Sequence, residues 1–207
     1  IRDRHGRRVL VYPAIGGLVG VAADGEDRGR VLFETDAWNH AVVAPCPVPL
    51  DGNRILVTAG YGVGSMVLEV APDWTLEVAQ TWTRQEFACE QQTPILHEGR
   101  LYTVMPKDGG ELREQLVCMR PDGTTEWTSG KTHRFGLGPF MAAGDKLFIL
   151  DDDGILHLAK TGGDGYQELA RAELLDGRDP WGPFALAGGR LFLRDSKRMI
   201  CVDVAAR

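Results

Sequence analysis

A strand that opens on a basic residue recurs at nearly constant spacing along this chain. Arg8-Val9-Leu10, Arg54-Ile55-Leu56, Arg100-Leu101-Tyr102, Lys146-Leu147-Phe148 and Arg190-Leu191-Phe192 follow one another at intervals of 46, 46, 46 and 44 residues. Turn pairs precede four of these starts: Asp51-Gly52, Glu98-Gly99, Gly144-Asp145 and Gly188-Gly189. A proline stands a little further upstream each time, as Pro49, Pro94, Pro139 and Pro183. Such a period restricts the chain to architectures in which each unit buries its apolar surface against the next.

Each period divides into four short apolar segments. The first follows the basic residue, at 9–12, 55–59, 101–105, 147–150 and 191–193. The second follows a turn, at 18–22, 66–70, 115–119, 155–159 and 199–204. Alternation is plain in Ile155-Leu156-His157-Leu158 and Met199-Ile200-Cys201-Val202. Asp24-Gly25, Asp122-Gly123 or Gly162-Gly163 then supplies hairpin chemistry. The third segment carries a bulky residue, at 31–33, 78–82, 125–127 and 166–170, and the fourth runs into the proline, at 41–44, 88–94, 138–141 and 184–186. Segment 166–175 could pass for a helix, but its phase puts it in the third-strand slot.

Four strands in about 46 residues predict an all-β chain built of antiparallel propeller blades. A four-stranded sheet cannot cover both its faces alone, and stacking blades around an axis covers them. The periods run 8–53, 54–99, 100–145, 146–189 and 190–207, four blades and a half within a single domain over 1–207. Residues 1–7 look too polar and short to complete a blade, which favours part of a larger ring over a small closed one. Such a part exposes sheet faces, so the missing propeller half or a second chain is an expected partner.

The net charge of −6 gives no electrostatic footprint for nucleic acid. No apolar run reaches the roughly 20 residues of a membrane helix. The chain opens at Ile1 with no signal-peptide pattern, and reads as a processed chain or a fragment. Cys46, Cys89, Cys118 and Cys201 show neither CxxC nor zinc spacing and read mostly as buried small apolar side chains, with one disulfide open if the protein is exported.

Propeller sites usually lie in loops at the ring mouth. The third-to-fourth and fourth-to-first connections are the places to look. Ahead of each fourth segment stand Trp38-Asn39-His40, Arg84-Gln85-Glu86-Phe87, His133-Arg134-Phe135 and Asp179-Pro180-Trp181. In register they would form a rim for a ligand or partner; alternatively the aromatics wedge between blades and the polar groups are solvated. Glu90 and Gln91, with Gln92, could face the axial channel or satisfy backbone groups. His40 and His133 share a phase, but a lone loop histidine rarely binds metal, and no metal set is read. Asp151-Asp152-Asp153-Gly154 lacks Ca²⁺-loop spacing and reads as a turn. The glycines of 60–64 lack a following helix and GK[ST], so they are no phosphate loop. No G-x-S-x-G occurs, which leaves a hydrolase without support.

The run 138–150 (GPFMAAGDKLFIL), followed by 152–158 (DDGILHL), resembles the repeat of the pyrroloquinoline-quinone-like (PQQ-like) propeller family. The pattern returns at 182–204 and more loosely at 93–119 and 47–70, so it covers nearly the whole chain. The resemblance implies the C-terminal half of a bacterial eight-bladed protein, exported to the periplasm or beyond. In quinoprotein members, PQQ sits against a tryptophan under a vicinal Cys-Cys disulfide, with Ca²⁺ held by Glu, Asn and Asp. This chain lacks the Cys-Cys pair and a recognisable ligand set, so whether it is an enzyme stays open. The first reading is a non-catalytic scaffold whose rim loops bind a protein, glycan or other ligand. The second is an exported quinoprotein oxidoreductase whose PQQ and Ca²⁺ contacts lie in the missing half.

Overall fold

The computed structural model describes residues 2–4, 6–51 and 53–205; Ile1, His5, Gly52 of the expected Asp51-Gly52 turn, Ala206 and Arg207 lie outside the described residues. Five antiparallel sheets follow one another along the chain, each with strands in sequence order. The first comprises β1 (Arg2–Arg4), β2 (Arg7–Ala14), β3 (Gly17–Ala22) and β4 (Val31–Thr35). The second comprises β5 (Val48–Pro49), β6 (Arg54–Ala59), β7 (Gly64–Val70) and β8 (Leu76–Trp82). The third comprises β9 (Ile95–His97), β10 (Arg100–Val104), β11 (Leu116–Met119) and β12 (Thr125–Thr128). The fourth comprises β13 (Phe140–Ala143), β14 (Lys146–Leu150), β15 (Ile155–Lys160) and β16 (Glu168–Glu173). The fifth comprises β17 (Ala185–Ala187), β18 (Arg190–Arg194) and β19 (Met199–Asp203). Segment 166–175 is therefore strand in its centre.

Three expectations need correction. The proline-bearing segment is the first strand of the next sheet, not the last of its own period: Val48 pairs with Leu56, Tyr102 with Ile95, Met141 with Phe148 and Leu186 with Leu191. The tight turn between the two segments joins them as a hairpin, while residues 41–44 and 88–94 are irregular. The polar start of the chain does form a strand, with Arg2 opposite Val9 and Arg4 opposite Arg7. Of the four cysteines, all free thiols, Cys89 and Cys118 are buried but Cys46 and Cys201 are exposed.

Alternating side chains of one strand enter different cores, which explains the nearly continuous apolar runs. From β6, Ile55 and Val57 pack toward the first sheet and Leu56 toward the third. From β11, Val117 and Met119 face the second sheet, Leu116 and Cys118 the fourth. From β14, Leu147 and Ile149 face the third sheet, Phe148 and Leu150 the fifth. Four apolar cores thus lie between consecutive sheets, as propeller stacking requires. The first strands β5, β9 and β13 touch in series, which sets them innermost. In all four four-stranded sheets the pairing of third and fourth strands slips by one residue, at Gly20/Val21, Val67/Leu68, Cys118/Met119 and Leu158/Ala159. The outermost faces stay uncovered: Leu10 and Tyr12 on β2 are 48% and 62% exposed, and Met199 on β19 is 70% exposed.

Candidate functional site

In a four-stranded antiparallel sheet followed by another, the second-to-third connection and the link to the next sheet emerge at the same end. The connections 60–63, 83–94, 105–115, 129–139, 151–154 and 174–184 therefore share one end. The hairpins before each basic strand lie at the opposite end and take no part. The sequence points both to the links between sheets, which carry all the rim residues named from it, and to those hairpins. It reads 60–63 and 151–154 as carrying no site and does not single out 105–115.

Arg134 and Asp152 tie this end together. Arg134 Nη1 lies 2.9 Å from Glu114 Oε1 and 3.2 Å from Asp152 Oδ2, and Nη2 lies 3.5 Å from Asp153 Oδ2. Asp152 Oδ1 accepts from the Leu137 amide at 2.8 Å and from Trp181 Nε1 at 3.2 Å. Gln92 Nε2 donates to the Trp181 carbonyl at 3.1 Å, which links the second-to-third and fourth-to-fifth connections. On the neighbouring stretch, Arg84 Nε donates to the Asp108 carbonyl at 3.2 Å. Burial pushes the Glu90 pKa up; a Tyr61 hydrogen bond opposes that shift, and the charges of Asp108 and Asp152 reinforce it. A carboxyl group so placed is a candidate for exchanging a proton or hydrogen-bonding a guest. Beside Arg134 opens a cleft of about 370 Å³ lined by Glu111, Arg113, Glu114, Lys131 and His133 among others.

The aromatic residues divide into two sets. Trp38, Phe87 and Phe135 are 3%, 0% and 0% exposed, and each is sealed between consecutive sheets. Trp181 is 37% exposed, because Leu175 and Phe184 fill the last inter-sheet core. His40 packs edge-on against Trp38, with ring centroids 4.5 Å apart, and Asn39 is exposed. Glu86 turns back on its own loop, its Oε2 accepting from the Thr83 amide and hydroxyl at 2.7 and 2.8 Å, and these bonds lower its pKa. Asp179 is exposed at a positive φ of 52°. Gln91 is half-buried on the connection into β9. Thus Arg134, Trp181 and Gln92 meet partners from other sheets, and Arg84 reaches the connection of the next sheet. Glu90 bonds Tyr61 of its own sheet while feeling the charges of Asp108 and Asp152, and Trp38, Asn39, His40, Glu86 and Asp179 do not join them.

Asp152→Ala should remove the acceptor for Leu137 and Trp181 and leave Arg134 with fewer partners. The expected loss is about 1–3 kcal/mol, read from urea unfolding. A loss indistinguishable from zero would mean that the network is not formed in solution.

A second group lies deeper, between the third and fourth sheets. His157 Nδ1 is 2.8 Å from Glu168 Oε2, His157 Nε2 is 2.9 Å from Asp151 Oδ2, and His133 Nε2 is 3.9 Å from Glu168 Oε2. Burial would lower the His157 pKa, but the two carboxylates outweigh it and raise the value. His133, a lone histidine in the sequence, therefore has nitrogen and oxygen donors beside it.

Neither a protein-family model nor a curated protein sequence matches the chain. Solved structures do resemble it. A protein assigned as a 6-phosphogluconolactonase from Bacteroides fragilis matches at a TM-score of 0.64 and 13% identity, over 95% of this chain and 64% of that one. The computationally designed Ika4 protein matches at 0.56 and 7% identity, over 75% of this chain and 88% of that one. BamB from Moraxella catarrhalis matches at 0.48 and 14% identity, over 93% of this chain. This chain spans 66% of BamB and 64% of the Bacteroides protein, just under two thirds of each. The first two likenesses are of fold alone at these identities, and the β-propeller architecture stands on them together with the stacked sheets. This chain's cysteines are separated in sequence and free, so it does not itself supply the vicinal disulfide of the quinoprotein seat.

Proposed function

We propose that this chain is a non-catalytic propeller scaffold of the PQQ-like repeat type, and that it binds a protein, glycan or other ligand at the end built by Glu90, Gln92, Arg134, Asp152 and Trp181. The observation that carries the reading is the bonded path Gln92–Trp181–Asp152–Arg134, which draws groups from three inter-sheet connections and the 151–154 turn to one mouth. It combines a half-exposed guanidinium and a partly exposed indole, two groups enriched where partners dock. The ring is completed in this reading by further propeller sheets, from a longer chain or a second one, which cover Leu10 and Tyr12 at one end and Phe192 and Met199 at the other. The repeat resemblance supports an eight-bladed ring and a location in the periplasm or outside the cell.

The test is binding of immobilised protein to peptide and oligosaccharide panels, with Trp181→Ala and Arg134→Ala beside the wild type. Loss of a docking tryptophan or arginine should weaken the selected ligand about tenfold or more, with little change in Tm. Full affinity in both variants would overturn the reading.

A further inference from the structure

His157 occupies a position that the other sheets fill with apolar side chains. Counted from the slip between third and fourth strands, its equivalents are Val19, Met66 and Val117. Val117 and Met66 pack in the cores between sheets, and His157, 3% exposed, points into the corresponding core against Phe135, with ring centroids 5.0 Å apart. Glu168 stands at a position that the other sheets leave exposed. Its equivalents across the slip are Val31, Val78 and Thr125. Without the slip, Ala159 would face Leu169 and the Glu168 carboxylate would point to the opposite face of the sheet. With it, Glu168 stands opposite Ala159, on the same face as His157. A buried imidazole is a costly replacement for apolar packing unless something compensates it, and the slip turns a carboxylate toward it.

We propose that His133, His157 and Glu168 form a binding site for a divalent transition-metal ion of the zinc class. One donor atom from each lies within 4.8 Å of the others. Around tetrahedral zinc, with bonds of about 2.0–2.1 Å, neighbouring ligand atoms stand roughly 3.3 Å apart. The observed separations from Glu168 Oε2, 2.8 Å to His157 and 3.9 Å to His133, bracket that value. Asp151 supplies the outer support such sites use. Its Oδ2 accepts a hydrogen bond from His157 Nε2–H, which leaves Nδ1 as the ligand nitrogen, while Oδ1 accepts from the Asp153 and Ile155 amides at 2.9 Å and fixes the carboxylate. Three protein donors leave a fourth position for water, and His133 also lines the 370 Å³ cleft through which solvent reaches it. The three donors differ from the residues of the mouth, although His133 and Asp151 adjoin Arg134 and Asp152 in the chain, and the proposal does not rest on that reading.

The test uses the whole chain stripped with chelator, then titrated with Zn²⁺ by calorimetry and with Co²⁺ in visible absorption. Wild type should take up one equivalent, give the intense bands of four- or five-coordinate Co²⁺, and melt at a higher temperature with Zn²⁺ present. His133→Ala and Glu168→Gln should each weaken binding about 100-fold or more and abolish the melting shift, and Asp151→Asn should weaken it about 10–100-fold. His133→Ala removes a half-buried loop side chain; if it fails to fold, Glu168→Gln decides. Equal Zn²⁺ uptake by wild type and Glu168→Gln, or the faint spectrum of six-coordinate aqueous Co²⁺, would overturn the proposal.

Discussion

Trp38→Ala should lower stability by about 3–5 kcal/mol, while Trp181→Ala should lie within about 1 kcal/mol of wild type. The two tryptophans occupy matching places ahead of the next sheet, and their surroundings differ. Trp38 is 3% exposed in the core formed by Leu18, Ile55, Val57 and Leu68. Truncation there leaves a cavity between two sheets, each kept in shape by its own strand pairing, so collapse around it is limited. Trp181 is 37% exposed, and its indole donates one hydrogen bond, to Asp152. At 2–4 °C per kcal/mol for a domain of this size, Trp38→Ala should melt roughly 6–20 °C below wild type. Thermal unfolding of both variants checks this. Equal losses would mean that Trp181 also wedges between sheets, and would remove it from the mouth.

That contrast shows where sequence reading stops. The strands were legible because every interior position must be apolar when both faces of a sheet are covered, and the basic starts repeat with the period. The first strands were assigned to the wrong sheet although the signal was present. Glu98-Gly99 and Gly188-Gly189 are two-residue hairpin turns, and a hairpin turn specifies a partner more firmly than nearness to the preceding period. The mouth was half legible. Arg134, Trp181 and Arg84 stood out by phase, but their partners Glu114, Asp152 and Asp108 come from other connections, which only the stacking of sheets brings near. Asp152 read as one residue of a turn, and it is that; the turn also delivers it to Arg134. His157 read as one step of an alternating strand. The clue was its neighbours, since a histidine at a position where the other sheets carry valine or methionine marks a place that packing alone does not explain.

Gly64→Ala should be as damaging as a core truncation, at about 3–5 kcal/mol, because two separate costs meet there. Gly64 opens β7 at φ +98°, a conformation that side-chain-bearing residues rarely adopt. A Cβ there would stand 2.3 Å from the carbonyl oxygen of Trp82 and 2.9 Å from the amide nitrogen of Arg84, both backbone atoms. Neither can move freely. Trp82 pairs with Ser65 across the sheet, its ring packs edge-on to Phe87 at 5.7 Å, and Ser65 Oγ donates to the Phe87 carbonyl at 2.8 Å. Displacing that carbonyl would therefore loosen the start of the 83–94 connection that carries Arg84 and Glu90 to the mouth. Gly62→Ala is the matched control, since Gly62 has φ +86° but nothing within 4 Å of an added Cβ. It should cost only the conformational strain, about 1 kcal/mol. Chemical denaturation of the pair separates the two terms. A Gly64→Ala loss no larger than that of Gly62→Ala would mean that the strand end yields to the methyl group, and that close backbone approach does not fix glycine at the head of β7.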